Sequence, residues 1–342
     1  MPQSRDWALY IAVFACAFGI VLAATPLAKK ISLRLGAIDY PRERGMHSEP
    51  MPRMGGLAIV LGFLVSIGVA AVFMPEMRTG QFMGFIAGAL IIAATGMLDD
   101  IFSLRPRLKF AIQIVAALIV VFSGTRVEFI NYPIPAYLDT LSVPFTLIWI
   151  VGVTNAVNII DGLDGLAAGV SAIGAACLMI LCLLSGDALA VVLSAALAGS
   201  CLGFLPRNFN PAEVIMGDTG ALFLGYVLAV SSITGVFKAY ALLSVIIAFL
   251  VMALPIFDTL FSMVRRAARH KPIMGADRGH LHHRLVDSGY SPKQAVVILY
   301  GLSVVTGAIG IVIAIKDVRA TVVTVICVCV MALMVWVYRR RT

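Results

Sequence analysis

The sequence predicts an all-α, polytopic membrane protein with about eleven transmembrane helices, counted from apolar runs long enough to cross a hydrocarbon core of ~30 Å. Two observations carry this. Mean hydropathy is +0.99 and only 13% of the 342 residues are charged, a balance that a soluble domain of that length would not tolerate. The apolar stretches are also continuous, whereas barrel strands would alternate polar and apolar residues over short segments. The runs fall near 8–28, 56–74, 82–97, 108–123, 141–157, 166–185, 188–205, 220–235, 240–262, 295–315 and 320–338.

An odd number of spans puts the termini on opposite sides, and basic residues favour the cytoplasmic loops. With the C-terminus inside, only Arg5, Arg78, Arg126, Lys238, Lys316 and Arg319 fall outside, and the other 20 of the 26 basic residues fall inside. The sequence therefore predicts an outward N-terminus and a cytoplasmic C-terminus. Lys29 and Lys30 follow the first apolar run instead of preceding it, so that run reads as a span and not as a cleaved signal peptide. The net charge of +8 suits an anionic leaflet and calls for no nucleic acid. Cys16, Cys177, Cys182, Cys201, Cys327 and Cys329 all lie in apolar spans without a CxxC pair, as small soft hydrophobes would.

The chain reads as one domain over 1–342. Its larger polar segments, 29–55, 98–109, 155–165, 206–219 and 264–294, all belong to the predicted inside face. A channel or transporter would be expected to spread ionisable residues through the midplane and both mouths. Of 18 acidic residues only Asp6, Glu76, Glu128, Asp139, Asp187 and Asp317 fall outside, and only Asp258 comes near mid-span. This asymmetry favours a site at the cytoplasmic surface over a transporter of divalent cations or lipid-linked intermediates, and over an inactive scaffold.

Within that face, "GMLDDIFSLRPRLKF" puts Asp99 and Asp100 at the end of the third span and Lys109 at the start of the fourth. Adjacent carboxylates repel unless a cation or proton intervenes, and acids at a helix C-terminus oppose its dipole. "TNAVNIIDGLDGLAAG" spaces Asn155, Asn158 and Asp161 by three, along one side of a helix, with Asp164 a turn later. Their oxygens are hard donors suited to Mg²⁺ or Mn²⁺; the alternative is a polar interhelical contact. Asp218, in "MGDTG", is either an ordinary helix cap or a further metal ligand on the same face. "DRGHLHHRL" gathers His280, His282, His283 and Arg284 with Arg278 in a cationic loop, which can read as a phosphate clamp, a metal site or plain surface. Arg53, before Gly55 and Gly56 at the start of a span, adds a weaker anion signal. Hard-metal ligands, carboxylates and an Arg/His clamp at a membrane edge suit phosphoryl chemistry with one lipid partner.

In order along the chain, "LDDIFSLRPRLK", "NAVNIIDGLDGLAAG", "MGDTGALFLGY" and "HLHHRL" resemble the motifs of the polyprenyl-phosphate N-acetylhexosamine-1-phosphate transferases, glycosyltransferase family 4. "PMPRMGG" and "PIFDTLF" extend the likeness over nearly the whole chain. The resemblance implies about eleven spans and a cytoplasmic active site in a bacterial inner membrane. It also implies transfer of an N-acetylhexosamine-1-phosphate, GlcNAc first, from a UDP-sugar to undecaprenyl phosphate with Mg²⁺ or Mn²⁺. UMP is released and a cell-surface glycan such as O-antigen or teichoic acid is begun. UDP-GalNAc or UDP-MurNAc-pentapeptide are alternative donors, and a homodimer is compatible with the family.

Carried over by motif, Asp218 and Asn158 would hold the metal, and Asp99 and Asp100 would position or deprotonate the lipid phosphate. Lys109 would neutralise phosphate charge, while Asp161 and Asp164 would orient nucleotide or metal-bound water. His280, His282, His283 and Arg284, with Arg53, would bind the donor. One departure stands out: much of the family has an aromatic residue stacking on uracil three positions before the metal aspartate, and this chain has Ile215. The histidine motif also differs from that of the muramoyl-pentapeptide branch.

Overall fold

A computed structural model describes residues 4–40, 49–127, 141–237, 242–269 and 279–315. The predicted span 320–338, Arg278, Cys327 and Cys329 lie outside the described residues, as does 41–48 of the predicted loop 29–55.

The architecture is all-α: α1 (Ser4–Leu35), α2 (Gly56–Phe73), α3 (Gly80–Phe102), α4 (Pro106–Phe122), α5 (Ser142–Ile160), α6 (Leu166–Ser185), α7 (Ala188–Asn208), α8 (Gly217–Ser232), α9 (Leu242–Val251), α10 (Ala253–Ala268), α11 (Leu281–Asp287) and α12 (Pro292–Ala314). Among the described residues, α1, α2, α3, α5, α6, α7, α8 with its π-turn, and α12 make eight helices long and apolar enough to cross a membrane.

Local sequence explains most of the boundaries. Thr79 and Asp187 cap α3 and α7 by accepting from Phe82 N and Ala190 N. Pro106 opens α4 at a position that needs no N–H donor. Ser291 and Gln294 form a capping box at the start of α12. The predicted single span 240–262 is instead two helices that break at Met252. Pro255 is the physical reason, because its ring clashes with the carbonyl four residues back, at Val251, and it lacks an N–H to continue the ladder.

The core is centred on α8, the most enclosed span, with 89% of its apolar stretch buried against α3, α5 and α2. A helix surrounded on all sides is apolar on all sides. Elsewhere α1 lies on α7 through Gly199 and Gly203, where an added Cβ would come within 2.4 Å of the Phe14 carbonyl oxygen and 2.5 Å of that of Phe18. Such small residues one turn apart are how membrane helices approach closely without help from the hydrophobic effect.

One feature departs from a purely helical plan. Ile38–Asp39 (β1) pairs antiparallel with Met51–Pro52 (β2), in a ladder too short for any period-two signal. The strand edge continues onto the entry to α8: Ile215 N donates to Pro52 O at 3.0 Å, and Gly55 N and Gly56 N donate to Ile215 O and Met216 O. This fixes Arg53, whose N–H is held by Ser32 Oγ at 3.0 Å.

Candidate active site

The ends of α3 and α5 and the starts of α4 and α8 converge beside Arg53. Asp99, Asp100 and Asp218 bring carboxylate oxygens within 4.8 Å of one another, close enough to hold one metal ion. Lys109 Nζ bridges Asp218 Oδ2 at 2.7 Å and Asp99 Oδ2 at 3.2 Å. Arg53 reaches all three acids: Nε lies 3.0 Å from Asp100 Oδ1, and Nη2 lies 3.6 Å from Asp99 and 3.7 Å from Asp218. Burial disfavours the Arg53 charge, but Asp100, Asp218 and Asp99 outweigh it and raise its pKa above the ordinary arginine value.

The two adjacent aspartates do different things. Asp100 is fully buried and accepts from Asp218 N at 2.9 Å, Thr219 N at 3.0 Å and Thr219 Oγ1 at 2.6 Å. It caps α8 from another helix, so its charge sits at the positive end of one dipole although it stands at the negative end of its own. With Arg53 it has no open face for a lipid phosphate, unlike the pairing expected with Asp99. Asp99 binds Leu104 N at 2.9 Å and shares its other oxygen with Lys109.

Asp218 is not the cap of α8, since Met216 occupies the N-cap position and Asp218 lies in the first turn. Its carboxylate is thereby free of capping, and Asn158 of α5 gives it a side-chain hydrogen bond. Gly217 makes this geometry possible: its φ is +70°, and a Cβ there would lie 1.9 Å from Arg53 O and 2.6 Å from Asp100 Oδ2.

The stretch from Asn155 to Gly165 divides by role. Asn155 exchanges amide hydrogen bonds with Gln113 of α4, donating at 2.5 Å and accepting at 3.4 Å, which is an interhelical contact. Asp164 accepts from Asn210 Nδ2 and Ala212 N, both at 3.1 Å, so it braces the loop that leads to α8. Gly165 is clamped through its N–H by Asn208 at 3.1 Å and through its carbonyl by Tyr300 at 2.5 Å. Asp161 lies just past α5, and its pKa is pushed up to about 8, first by burial and then by the charges of Asp218 and Asp100.

The histidine motif forms a second wall around this loop. His282 is buried over Gly162, where a Cβ would meet its Nε2 at 2.4 Å. Burial, and then His283, push its pKa down to about 4, so it packs as a neutral ring and is no cationic clamp. The His280 ring lies parallel to it at 5.9 Å, and the His283 ring is tilted against it at 4.3 Å. Arg284 is exposed and borders a cavity of about 370 Å³ between α10 and α12, walled by Leu254, Phe257, Phe261 and Leu302.

Thr219, Gln113, Asn208 and Tyr300 gave no signal of these contacts in the sequence, whereas Asp258 stood out as the acid nearest mid-span.

The match to known proteins agrees with this geometry. Residues 82–236 match the model of glycosyl transferase family 4. A Bacillus subtilis protein described as a probable undecaprenyl-phosphate N-acetylglucosaminyl 1-phosphate transferase is 40% identical over 293 residues, covering 85% of this chain and 81% of the relative. A decaprenyl-phosphate N-acetylglucosaminephosphotransferase of Mycolicibacterium smegmatis is 38% identical, covering 82% and 76%. A phospho-N-acetylmuramoyl-pentapeptide-transferase of Listeria monocytogenes is more distant, at 29% identity over 89% and 97% of the two chains. On these grounds the chain belongs to glycosyl transferase family 4.

Proposed function

We propose that the protein transfers GlcNAc-1-phosphate from UDP-GlcNAc to undecaprenyl phosphate, releasing UMP and starting a cell-surface glycan. The observation that carries this is the cluster of Asp99, Asp218, Lys109 and Arg53 at the meeting of five chain segments, in a chain 40% identical to a transferase of that description. The greater distance to the muramoyl-pentapeptide relative supports GlcNAc over the peptidoglycan donor.

The oxygen donors suit a hard divalent cation. Asp218 and Asn158 would hold Mg²⁺, or Mn²⁺, whose charge would neutralise the diphosphate of the donor. An oxygen of the lipid phosphate attacks the sugar-linked phosphorus, the bond from that phosphorus to the bridging oxygen breaks, and UMP leaves with that oxygen. A phosphate monoester with a second pKa near ~6 is already mostly a dianion at neutral pH, so Asp99 positions the acceptor and no phospho-aspartyl intermediate is required. Lys109 offsets charge beside the attacking phosphate. Asp161 would orient nucleotide or metal-bound water, and Asp100 holds Arg53 and the α8 entry in place. The positive-inside count supports a cytoplasmic site, about eleven spans and residence in a bacterial inner membrane.

The test is UMP release by detergent-purified protein with undecaprenyl phosphate and Mg²⁺, with UDP-GlcNAc, UDP-GalNAc and UDP-MurNAc-pentapeptide in parallel. The expected result is release from UDP-GlcNAc that EDTA and Asp218→Ala abolish. Release from another donor alone would reassign the sugar, and none from any donor would reject the reaction. Asp99→Asn is expected to retain turnover at saturating lipid phosphate; complete loss there would make Asp99 an essential base or nucleophile.

A further inference from the structure

Lys109 stands near the start of α4, yet its ammonium is shared by carboxylates of two other helices. Nζ lies 2.7 Å from Asp218 Oδ2 and 3.2 Å from Asp99 Oδ2, so one cation joins the start of α8 to the end of α3. Those two acids, with Asp100, are the ones whose oxygens converge within 4.8 Å. Magnesium takes carboxylate oxygens at roughly 2.0–2.1 Å. An ion shared by the same two oxygens would need the space that Nζ fills, and two cations so close repel strongly away from bulk water.

The cluster holds a second cation, Arg53, and the two are not held alike. Arg53 N donates to Ser32 Oγ at 3.0 Å and to Ala37 O at 3.1 Å, which ties down its backbone. Its Nε pairs at 3.0 Å with Asp100, whose side chain is fully buried, while Nη2 stays 3.6 Å from Asp99 and 3.7 Å from Asp218. Arg53 therefore belongs to Asp100. Lys109 belongs to the two remaining acids, and its flexible four-carbon stem lets the ammonium move while α4 stays still. With 21% of that side chain exposed, the way out to water is open.

We propose that Lys109 is a stand-in cation: it neutralises Asp99 and Asp218 until a divalent ion enters, and that entry displaces its ammonium. This rests on the metal reading of the acid cluster. It gives Lys109 a role before any substrate arrives, because carboxylates this close repel one another unless a cation lies between them.

Displacement is read on the wild-type protein by labelling with an amine-reactive ester, in EDTA and in saturating Mn²⁺, with peptide mass spectrometry for each lysine and electron paramagnetic resonance for bound Mn²⁺. An ammonium locked between carboxylates reacts slowly. Labelling of Lys109 is expected to rise about tenfold when Mn²⁺ binds, the change that release from one charge-assisted hydrogen bond would give. Lys30, exposed on α1, should keep its rate. Lys109→Met removes the competitor, so Mn²⁺ should bind about tenfold more tightly or better.

Labelling of Lys109 that stays flat or falls with Mn²⁺ bound would overturn the stand-in role, since the ammonium would then share the cluster with the metal. Mn²⁺ affinity unchanged or weakened in Lys109→Met would overturn it too. If Lys109→Met does not fold, the labelling of wild type decides. Wild type that binds no Mn²⁺ upholds the role only if Lys109→Met binds it, and rejects it otherwise. Wild-type UMP release that survives EDTA would count against the metal reading, which the comparison of Lys109 labelling does not touch.

Discussion

The acid cluster and the histidine wall are built on one device used at two charge densities. In each, a carboxylate on one helix takes the unpaired N–H groups at the start of another and grips a basic side chain beside them. Asp100 does this for α8 and Arg53, and Asp258 for α11 and His280. Around Asp100 two further aspartates and a lysine crowd in, whereas around Asp258 lie histidine rings and apolar walls. The first region holds its acids with internal cations, as a site that could take an incoming one would. The second is built to hold a ring still.

Asp218→Ala breaks the comparison most severely. It removes the carboxylate that Lys109, Arg53 and Asn158 all address, and UMP release should fall by a factor on the order of 10³. Loss of His282 should cost turnover far less, since that ring only packs.

Asp100→Asn should act on stability first. It leaves Arg53 without its nearest anion and weakens the cap of α8, so about 3 kcal/mol should be lost, measured as a fall in the thermal midpoint in detergent. Asp99→Asn should cost less, because Lys109 keeps Asp218 at 2.7 Å and the amide oxygen can still accept from Leu104 N.

The histidine wall should answer to pH through His282. The folded pKa of His282 lies below its unfolded value of 6.5, at about 4. The unfolded chain therefore binds more protons between these values, and stability is complete above 6.5 and falls as pH drops toward about 4. The loss should approach ~3 kcal/mol, seen as the part of the fall in thermal midpoint from pH 7.5 to pH 5 that His282→Gln removes.

The smallest effect should come from the amide pair. Gln113→Leu removes an interhelical contact worth roughly 0.6 kcal/mol, with turnover unchanged, as befits an Asn155 that faces a neighbouring helix and not substrate.

Which residues gather at the candidate site was largely legible in the sequence, because polar side chains are expensive in an apolar chain. Asp99, Lys109, Asn158, Asp161 and Asp218 stand out for that reason alone. What each residue holds was not legible. Asp100 differs from Asp99 only by one position on α3, yet that turns it toward α8. Arg53 reads as an anion binder until β1 and β2 fix it against carboxylates. The break at Met252 depends on how one proline competes with the pull of an apolar run, and hydropathy alone does not weigh that.

On the proposed mechanism the divalent cation would sit at the acid cluster and the donor's diphosphate at the histidine wall. Mn²⁺ binding followed by electron paramagnetic resonance, with UDP-GlcNAc present, tests this most directly in wild type, Asp218→Ala and His280→Gln. The account predicts bound Mn²⁺ in wild type and His280→Gln and none in Asp218→Ala. Retention in Asp218→Ala with loss in His280→Gln would contradict it.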